Sequence, residues 1–315
     1  ELAPDVAVDR RLPGKAGAAE AHLRLVRRVC REIRDLRPAV VYVQHCWAPL
    51  LERRVLEVAR EVGARSILAV HNARPHARGA GLRSGFGRLV EAADQVVVHS
   101  DHVAGALPRA DLLRVDLPEL RAVTRAPRQP IDELACSGRR RVAAFWVMRR
   151  GYKGRAGLAE VAAALGDGWE VVAAGVGAGG SGPGVLTLDR YLAPGELRWL
   201  VESADVVLLP YRDASQSAAV PLAQVLGAPP VASAVGGIPE QISSGRSGVL
   251  VPREAGADTW AAAVRSATCV DVEAMAQSAA RAGERAAEGW LDLVAAGLAP
   301  MSGATRPRGQ RSGTG

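Results

Sequence analysis

Residues 204–252 read ADVVLLPYRDASQSAAVPLAQVLGAPPVASAVGGIPEQISSGRSGVLVP. Short apolar runs alternate with small-residue turns and short helical patterns, a strand–loop–helix unit repeated about three times. Each apolar run ends in a polar or Gly-rich loop. In a parallel α/β sheet, ligands bind at that end of the strands. The stretch therefore predicts the ligand-binding half of an α/β domain.

The same pattern extends upstream. Strand Arg141–Val147 (RVAAFWV) precedes a helix, Arg155–Leu165, with Leu158, Val161 and Leu165 on one face. Strand Glu170–Ala174, a Gly-rich loop at Gly175–Gly184 and strand Val185–Leu188 follow. Pro194 opens a helix that continues through Leu197, Leu200 and Val201. Strand Asp205–Leu209 then enters the opening stretch. Downstream, Ala257–Leu298 reads as helical. The segment Arg121–Arg140 carries Pro127, Pro130 and Ser137-Gly138 and reads as a linker.

A second series lies before that linker. Helix Ala16–Leu36 places Leu23, Val26, Cys30 and Ile33 in one stripe, with arginines from Arg24 to Arg37 beside it. Strands are predicted at Val40–Gln44, Ser66–Val70, Gln95–Val98 and Leu112–Val115. Helices fall between them: one with Leu51, Val55, Val58 and Val62 that stops at Gly63, one at Phe86–Ala93, and one at Asp101–Leu107 capped by Ser100. The series opens on a loop and a helix. A nucleotide-binding α/β domain opens on a strand and a Gly-rich turn, so the first strand is expected either to be lost or to precede a truncated start. The fold class is α/β, with two doubly wound parallel sheets. The units are residues 1–125, 139–298 and a Gly-, Ser- and Arg-rich tail at 299–315 that reads as disordered.

The formal charge of +7 fits a phosphorylated ligand, an anionic membrane or a solvated Arg-rich surface. The basic amphipathic helix is the feature that suits a membrane face, as a peripheral contact at the inner leaflet; its medium-sized apolar residues and lack of aromatic anchors favour a core-packed helix with a solvated basic side. Cys30, Cys46, Cys136 and Cys269 form no C-x-x-C pair or zinc spacing. No apolar run approaches the length of a transmembrane helix. These features lead us to expect a cytoplasmic protein with reduced thiols, no metal and no nucleic-acid partner.

Four places can carry chemistry. Arg149, Arg150, Tyr152 and Lys153 follow strand FWV, where cations face a ligand cleft and suit a diphosphate. Ser215, Gln216 and Ser217 precede a helix at Ala218–Leu226 and suit an anion, or simply cap that helix. Gly236 and Gly237 allow a close backbone approach before Pro239 and Glu240. Glu240 suits sugar or ribose hydroxyls, or a helix start. His71, with Asn72 and His76, and His99 with Ser100, stand at strand ends; His71 is the one assigned to a site. The Gly175–Gly184 loop is too loose for a dinucleotide fingerprint, and no Walker loop, EF-hand or G-x-S-x-G elbow is present.

The motifs VVYVQHCW, ILAVHNARPH, DQVVVHSDHV, FWVMRRGYKG, SADVVLLPYRDASQS and VGGIPEQISSGRSGVLVP occur in that order. Together, from Leu23 to Leu298, the chain resembles the retaining glycosyltransferases of the group-one type (family four). The resemblance implies the GT-B fold, two Rossmann-like domains facing a central cleft. It implies a nucleotide-diphosphate sugar as co-substrate, held mainly by the C-terminal domain, and no cofactor or metal. A small-molecule, glycan or lipid-linked acceptor would bind the N-terminal domain. Residue by residue, Lys153 matches the family's diphosphate lysine, Arg150 its arginine neighbour, His71 the strand-end histidine, and Gly237 and Glu240 the G-G-x-P-E loop. The chain departs from the family at Val147-Met148, where Gly-Arg is frequent. The family's two glutamates fall at Ala214 and Leu222, with Asp213 one position from the first. Ala218 stands for a glycine. The alternatives are a degenerate GT-B protein that binds a nucleotide sugar or a partner transferase without turnover, and a sugar-nucleotide epimerase of similar build.

Overall fold

A computed structural model describes residues 14–44, 48–73, 85–117, 120–134, 138–145, 157–179 and 181–298. Residues 299–315 and the 146–156 segment lie outside these, and with them Arg149, Arg150, Tyr152 and Lys153; so do His76, Cys46 and Cys136.

The described residues build two parallel sheets. The first contains β1 (Val40–Val43), β2 (Arg65–Val70), β3 (Gln95–Val98) and β4 (Leu112–Arg114), in that spatial order. The second contains β5 (Arg140–Phe145), β6 (Trp169–Ala174), β7 (Val185–Leu188), β8 (Val206–Leu209), β9 (Pro230–Ser233) and β10 (Val249–Val251). Its spatial order is β10-β9-β8-β5-β6-β7. Read from β7, that is the 3-2-1-4-5-6 order of a doubly wound nucleotide-binding sheet, and its switch point falls between β5 and β8. The pair is in register at Val142–Val206 and Ala143–Val207. These strands read as unbroken apolar runs because both faces are covered.

Helices α6 (Leu158–Leu165) and α10 (Ala257–Ala267) cover one face of the second sheet. Helices α7 (Pro194–Glu202), α8 (Ala219–Val225) and α9 (Ile238–Gln241) cover the other. Pro194 does open α7, and Glu196 Oε2 accepts from the N–H of Ala193 at 2.8 Å, satisfying the backbone just before the helix.

In the first unit, α1 (Gly14–Leu36) packs Val26, Cys30 and Ile33 against Val41 of β1 and against Val55, Val58 and Ala59 of α2 (Pro49–Glu61). That apolar stripe is covered by protein. The exposed side is charged, with Arg24, Arg28 and Arg34 paired to Glu20, Glu32 and Glu61. Exposed pairs of this kind contribute little stability. Helix α3 (Phe86–Ala92) leads into β3. Helix α4 (Asp101–Ala104) follows it and ends three residues short of the predicted Leu107, because the backbone goes on in tighter turns, with Ala106 N–H donating to Val103 O and Leu107 N–H to Ala104 O. No helix among the described residues is long and apolar enough to cross a membrane.

The segment read as a linker is well packed. It holds α5 (Arg121–Thr124) and a 3₁₀ turn at Asp132–Leu134. Val123, Ile131 and Leu134 enter the core beneath the second sheet. The Gln129 N–H donates to Gly195 O at 3.2 Å, and Arg198 Nη1 donates to Ala126 O at 2.9 Å. Prolines and charges at its surface concealed three apolar anchors. Helix α11 (Val272–Leu298) starts against α8 and runs back to the first unit. There Leu293 and Trp290 cover Ile67, Ala69, Val97 and Val115. The Trp290 ring meets Tyr42 of β1 edge-on, with centroids 5.4 Å apart. One helix thus belongs to both cores.

Candidate active site

The carboxyl ends of the two sheets face each other, and the site is the seam between them. From the first sheet come His71, which follows β2, and His99 and Ser100, which follow β3. From the second come the loop 210–218 after β8 and the loop 234–237 after β9.

Gln216 Nε2 donates to His71 Nδ1 across the seam at 3.3 Å. The structure thus brings two predicted site residues, one from each unit, into contact. The ring of His99 lies beside that of His71, with centroids 4.7 Å apart. His99 is almost fully buried, and its Nδ1–H donates to Val115 O at 2.7 Å. That bond leaves Nε2 as an acceptor. Burial lowers the pKa of His99, opposed by the Val115 carbonyl and the Asp116 charge. His99 Nε2 and Gln216 Oε1 are buried with no hydrogen-bond partner among the described residues. Two unpaired acceptors beside His71 mark the place where a hydrogen-bond donor from outside the chain is accommodated best.

Ser215 and Ser217 are also buried. Ser100 Oγ donates to Ser215 O at 3.2 Å, a second bond across the seam. The Ser217 N–H donates to Gln241 Oε1 at 2.8 Å, and Ser217 Oγ accepts from the N–H of Ala219 at 3.2 Å. Ser217 therefore caps α8. Burial pushes the Tyr211 phenol up to about 12, and its hydroxyl is 3.5 Å from Ser217 Oγ. Asp213 is exposed at the mouth of this loop. Ala214 and Leu222, where the family's glutamates were expected, are buried in the core of the second sheet.

The glycines serve backbone contact. A Cβ on Gly236, whose φ is +53°, would lie 1.7 Å from Ala214 O. One on Gly237 would lie 2.1 Å from Ser215 O and 3.1 Å from Ser100 Oγ. Only glycine lets these loops and Ser100 close on one another. Glu240 accepts from the N–H groups of Asp101 at 2.7 Å and His102 at 2.8 Å, at the start of α4. Sequence reasoning read Ser100 as a cap and as the neighbour of His99 at a strand end. It does cap α4, accepting from Val103 N at 3.2 Å, but its bond to Ser215 O depends on the tertiary fold. Arg114, 3.4 Å from Glu240, was also missed, because nothing local marks it.

Away from the seam, the Gly175–Gly184 loop closes on Asp189, whose carboxylate accepts from the Gly177 N–H. A cavity of about 520 Å³ lies at the ends of β8 and β9, between the starts of α6 and α10. Gly157, Tyr211, Arg212, Ser233, Arg253 and Trp260 are among its walls. It contains neither His71 nor Ser215–Ser217.

Residues 158–268 match the family model described as Glycosyl transferases group 1. The chain has the GT-B fold, and this segment of it is similar to the group 1 glycosyltransferases. D-inositol 3-phosphate glycosyltransferase of Geodermatophilus obscurus is 39% identical over 89 residues, which are 27% of this chain and 20% of that relative. The match therefore spans about a fifth of the relative's length. Among solved structures, HepE of Anabaena in complex with UDP-glucose superposes with a TM-score of 0.66 at 16% identity, over 85% of this chain and 82% of that one. The α,α-trehalose-phosphate synthase (UDP-forming) of Burkholderia vietnamiensis gives 0.66 at 13% identity, over 90% and 77%. Sucrose-phosphate synthase of Thermosynechococcus elongatus gives 0.64 at 15%, over 90% and 81%. Likenesses at this identity concern the fold.

Proposed function

We propose that the protein transfers a sugar from a nucleotide-diphosphate sugar to a hydroxyl acceptor, with retention of configuration. The observation that carries this reading is the meeting of His71 with Gln216 at 3.3 Å, between two parallel sheets and beside the switch point of the second. A nucleotide would lie along the second sheet's carboxyl edge, as open α/β sheets bind such ligands. The group 1 domain match and the UDP-glucose bound by HepE support that choice of donor.

In this reading, the acceptor oxygen forms a bond to the anomeric carbon while the bond from that carbon to the diphosphate oxygen breaks. The electron pair leaves with the nucleoside diphosphate, and the acceptor's proton passes to a phosphate oxygen. Charge grows on the leaving group, so fixed cations accelerate the step. Lys153 and Arg150, assigned by resemblance, would supply them. His71 and the unpaired acceptors of His99 and Gln216 would orient hydroxyl groups at the seam. The relative's name makes D-inositol 3-phosphate the first acceptor to try.

The test is incubation with UDP-, GDP- and dTDP-sugars and a panel of acceptors, following nucleotide release and product mass. Transfer by the wild type, reduced at least about a hundredfold by Lys153→Ala, supports the reading. Intact transfer in Lys153→Ala overturns the diphosphate assignment. Donor binding with no product from any acceptor favours a binding protein instead.

A further inference from the structure

We propose that Glu240 is a positioning residue: its carboxylate latches the two units together and sets the loop that meets His71, rather than receiving a sugar or ribose. The first N–H groups of a helix have no partner within it. At α4 the Glu240 carboxylate, which comes from the other unit, takes two of them, at 2.7 and 2.8 Å. Such charge-assisted bonds at a positive helix end are strong. Arg114 stands 3.4 Å from one carboxylate oxygen and also pairs with Asp101. Each carboxylate oxygen therefore has a backbone partner from the first unit.

The latch connects to the seam through the glycine loop. Glu240 is in α9, which begins immediately after Gly237. The Gly237 N–H donates to Ala214 O at 3.2 Å, and Gly237 lies flat against Ser215 and Ser100. Ser215 is held by Ser100 Oγ, and the next residue, Gln216, bonds His71. When Glu240 holds α4, Ser100 and the 214–216 loop are fixed together. Without it, the seam is held by the bonds at Ser100 and Gln216, and the units by the packing of α11. The effect on transfer rests on the function proposed above; the latch itself does not.

Hydrogen exchange at the Asp101 and His102 amides, with small-angle scattering of the free protein, tests the latch without any donor. In Glu240→Ala and Glu240→Gln both amides should exchange roughly tenfold to a hundredfold faster than in the wild type, and the radius of gyration should rise. Arg114→Met leaves the carboxylate in place and should keep most of the protection. Should the alanine variant fail to fold, the glutamine variant keeps the volume and carries the test. Wild-type exchange at both amides and an unchanged radius of gyration in a folded variant overturn the proposal. If donor assays show activity, Glu240→Gln should lower kcat more than it raises KM, whereas loss of a ligand-binding carboxylate should appear mainly in KM. A protein inactive in every assay leaves the exchange and scattering results standing, so the two readings fail separately.

Discussion

Two of the polar contacts that join the units, at Glu240 and at His71, are built in opposite ways. At Glu240, a carboxylate meets two backbone N–H groups and an arginine, and every partner is satisfied within the chain. At His71, the 3.3 Å bond from Gln216 is flanked by two buried acceptors with no hydrogen-bond partner among the described residues. A buried unpaired acceptor costs about 1–3 kcal/mol. A fold whose only task there was cohesion would place apolar groups instead. The difference teaches that the latch holds the seam and that the histidine cluster is arranged to receive something.

The glycines lie beneath both contacts, so changing them should have the largest effect. Gly236→Ala forces a side chain into a left-handed backbone and onto the Ala214 carbonyl. Backbone of 214–216 must shift, disturbing latch and seam together. We expect a loss of about 3 kcal/mol in urea unfolding. An unchanged midpoint would show that the two loops are not pressed together as described.

Next in size is Ser100→Ala. It removes a helix cap to Val103 and a cross-seam bond to Ser215. Caps of this kind contribute about 1 kcal/mol, and a second buried bond contributes about as much again. A loss of about 2 kcal/mol, with faster exchange of the Val103 amide, is expected. A loss confined to the cap value would remove Ser100 from the seam.

Much of this was legible in the sequence. The central strands were legible because buried parallel strands are continuous apolar runs, and Val206–Leu209 is such a run with all four residues buried. His71 and Gln216 were both singled out from strand-end and helix-start positions, though nothing local told that they touch across 145 residues. The packing of the linker was not legible because its apolar anchors are single residues with no period. Glu240 was read as facing a ligand because a carboxylate at a helix start looks alike whichever helix it serves. Its partner amides belong to the other unit, and only tertiary structure supplies them. His99 was set aside since a strand-end histidine commonly makes a structural bond. It does make one, to Val115, and its other nitrogen is what the sequence could not weigh.

The histidine cluster predicts a separation of stability from activity. Gln216→Ala removes an unpaired acceptor together with one long bond. Urea unfolding should change by no more than about 0.5 kcal/mol, while any transfer falls about tenfold. A large stability loss with activity retained would make Gln216 a second latch and erase the contrast drawn above.

The smallest expected effect is a pH dependence from His99. Burial disfavours its imidazolium, so the folded pKa lies below the ordinary 6.5, with the Val115 carbonyl and Asp116 pulling weakly the other way. As pH falls below about 6.5, the unfolded chain takes up a proton that the folded chain refuses. His99 therefore contributes full stability above about pH 6.5. That contribution declines as the pH drops and levels off once the folded pKa is passed. His99→Gln, which keeps a donor for the Val115 carbonyl, should flatten this part of the curve. The measurement is the difference in unfolding free energy between wild type and variant from pH 8 to pH 5. A difference constant with pH would mean that the imidazole is solvated in the folded protein. The unpaired acceptor beside His71 would then be a water site like those elsewhere on the surface. A wild-type advantage that shrinks as the pH falls supports a dry seam, in which only an entering donor group completes the hydrogen bonds of His99 and Gln216.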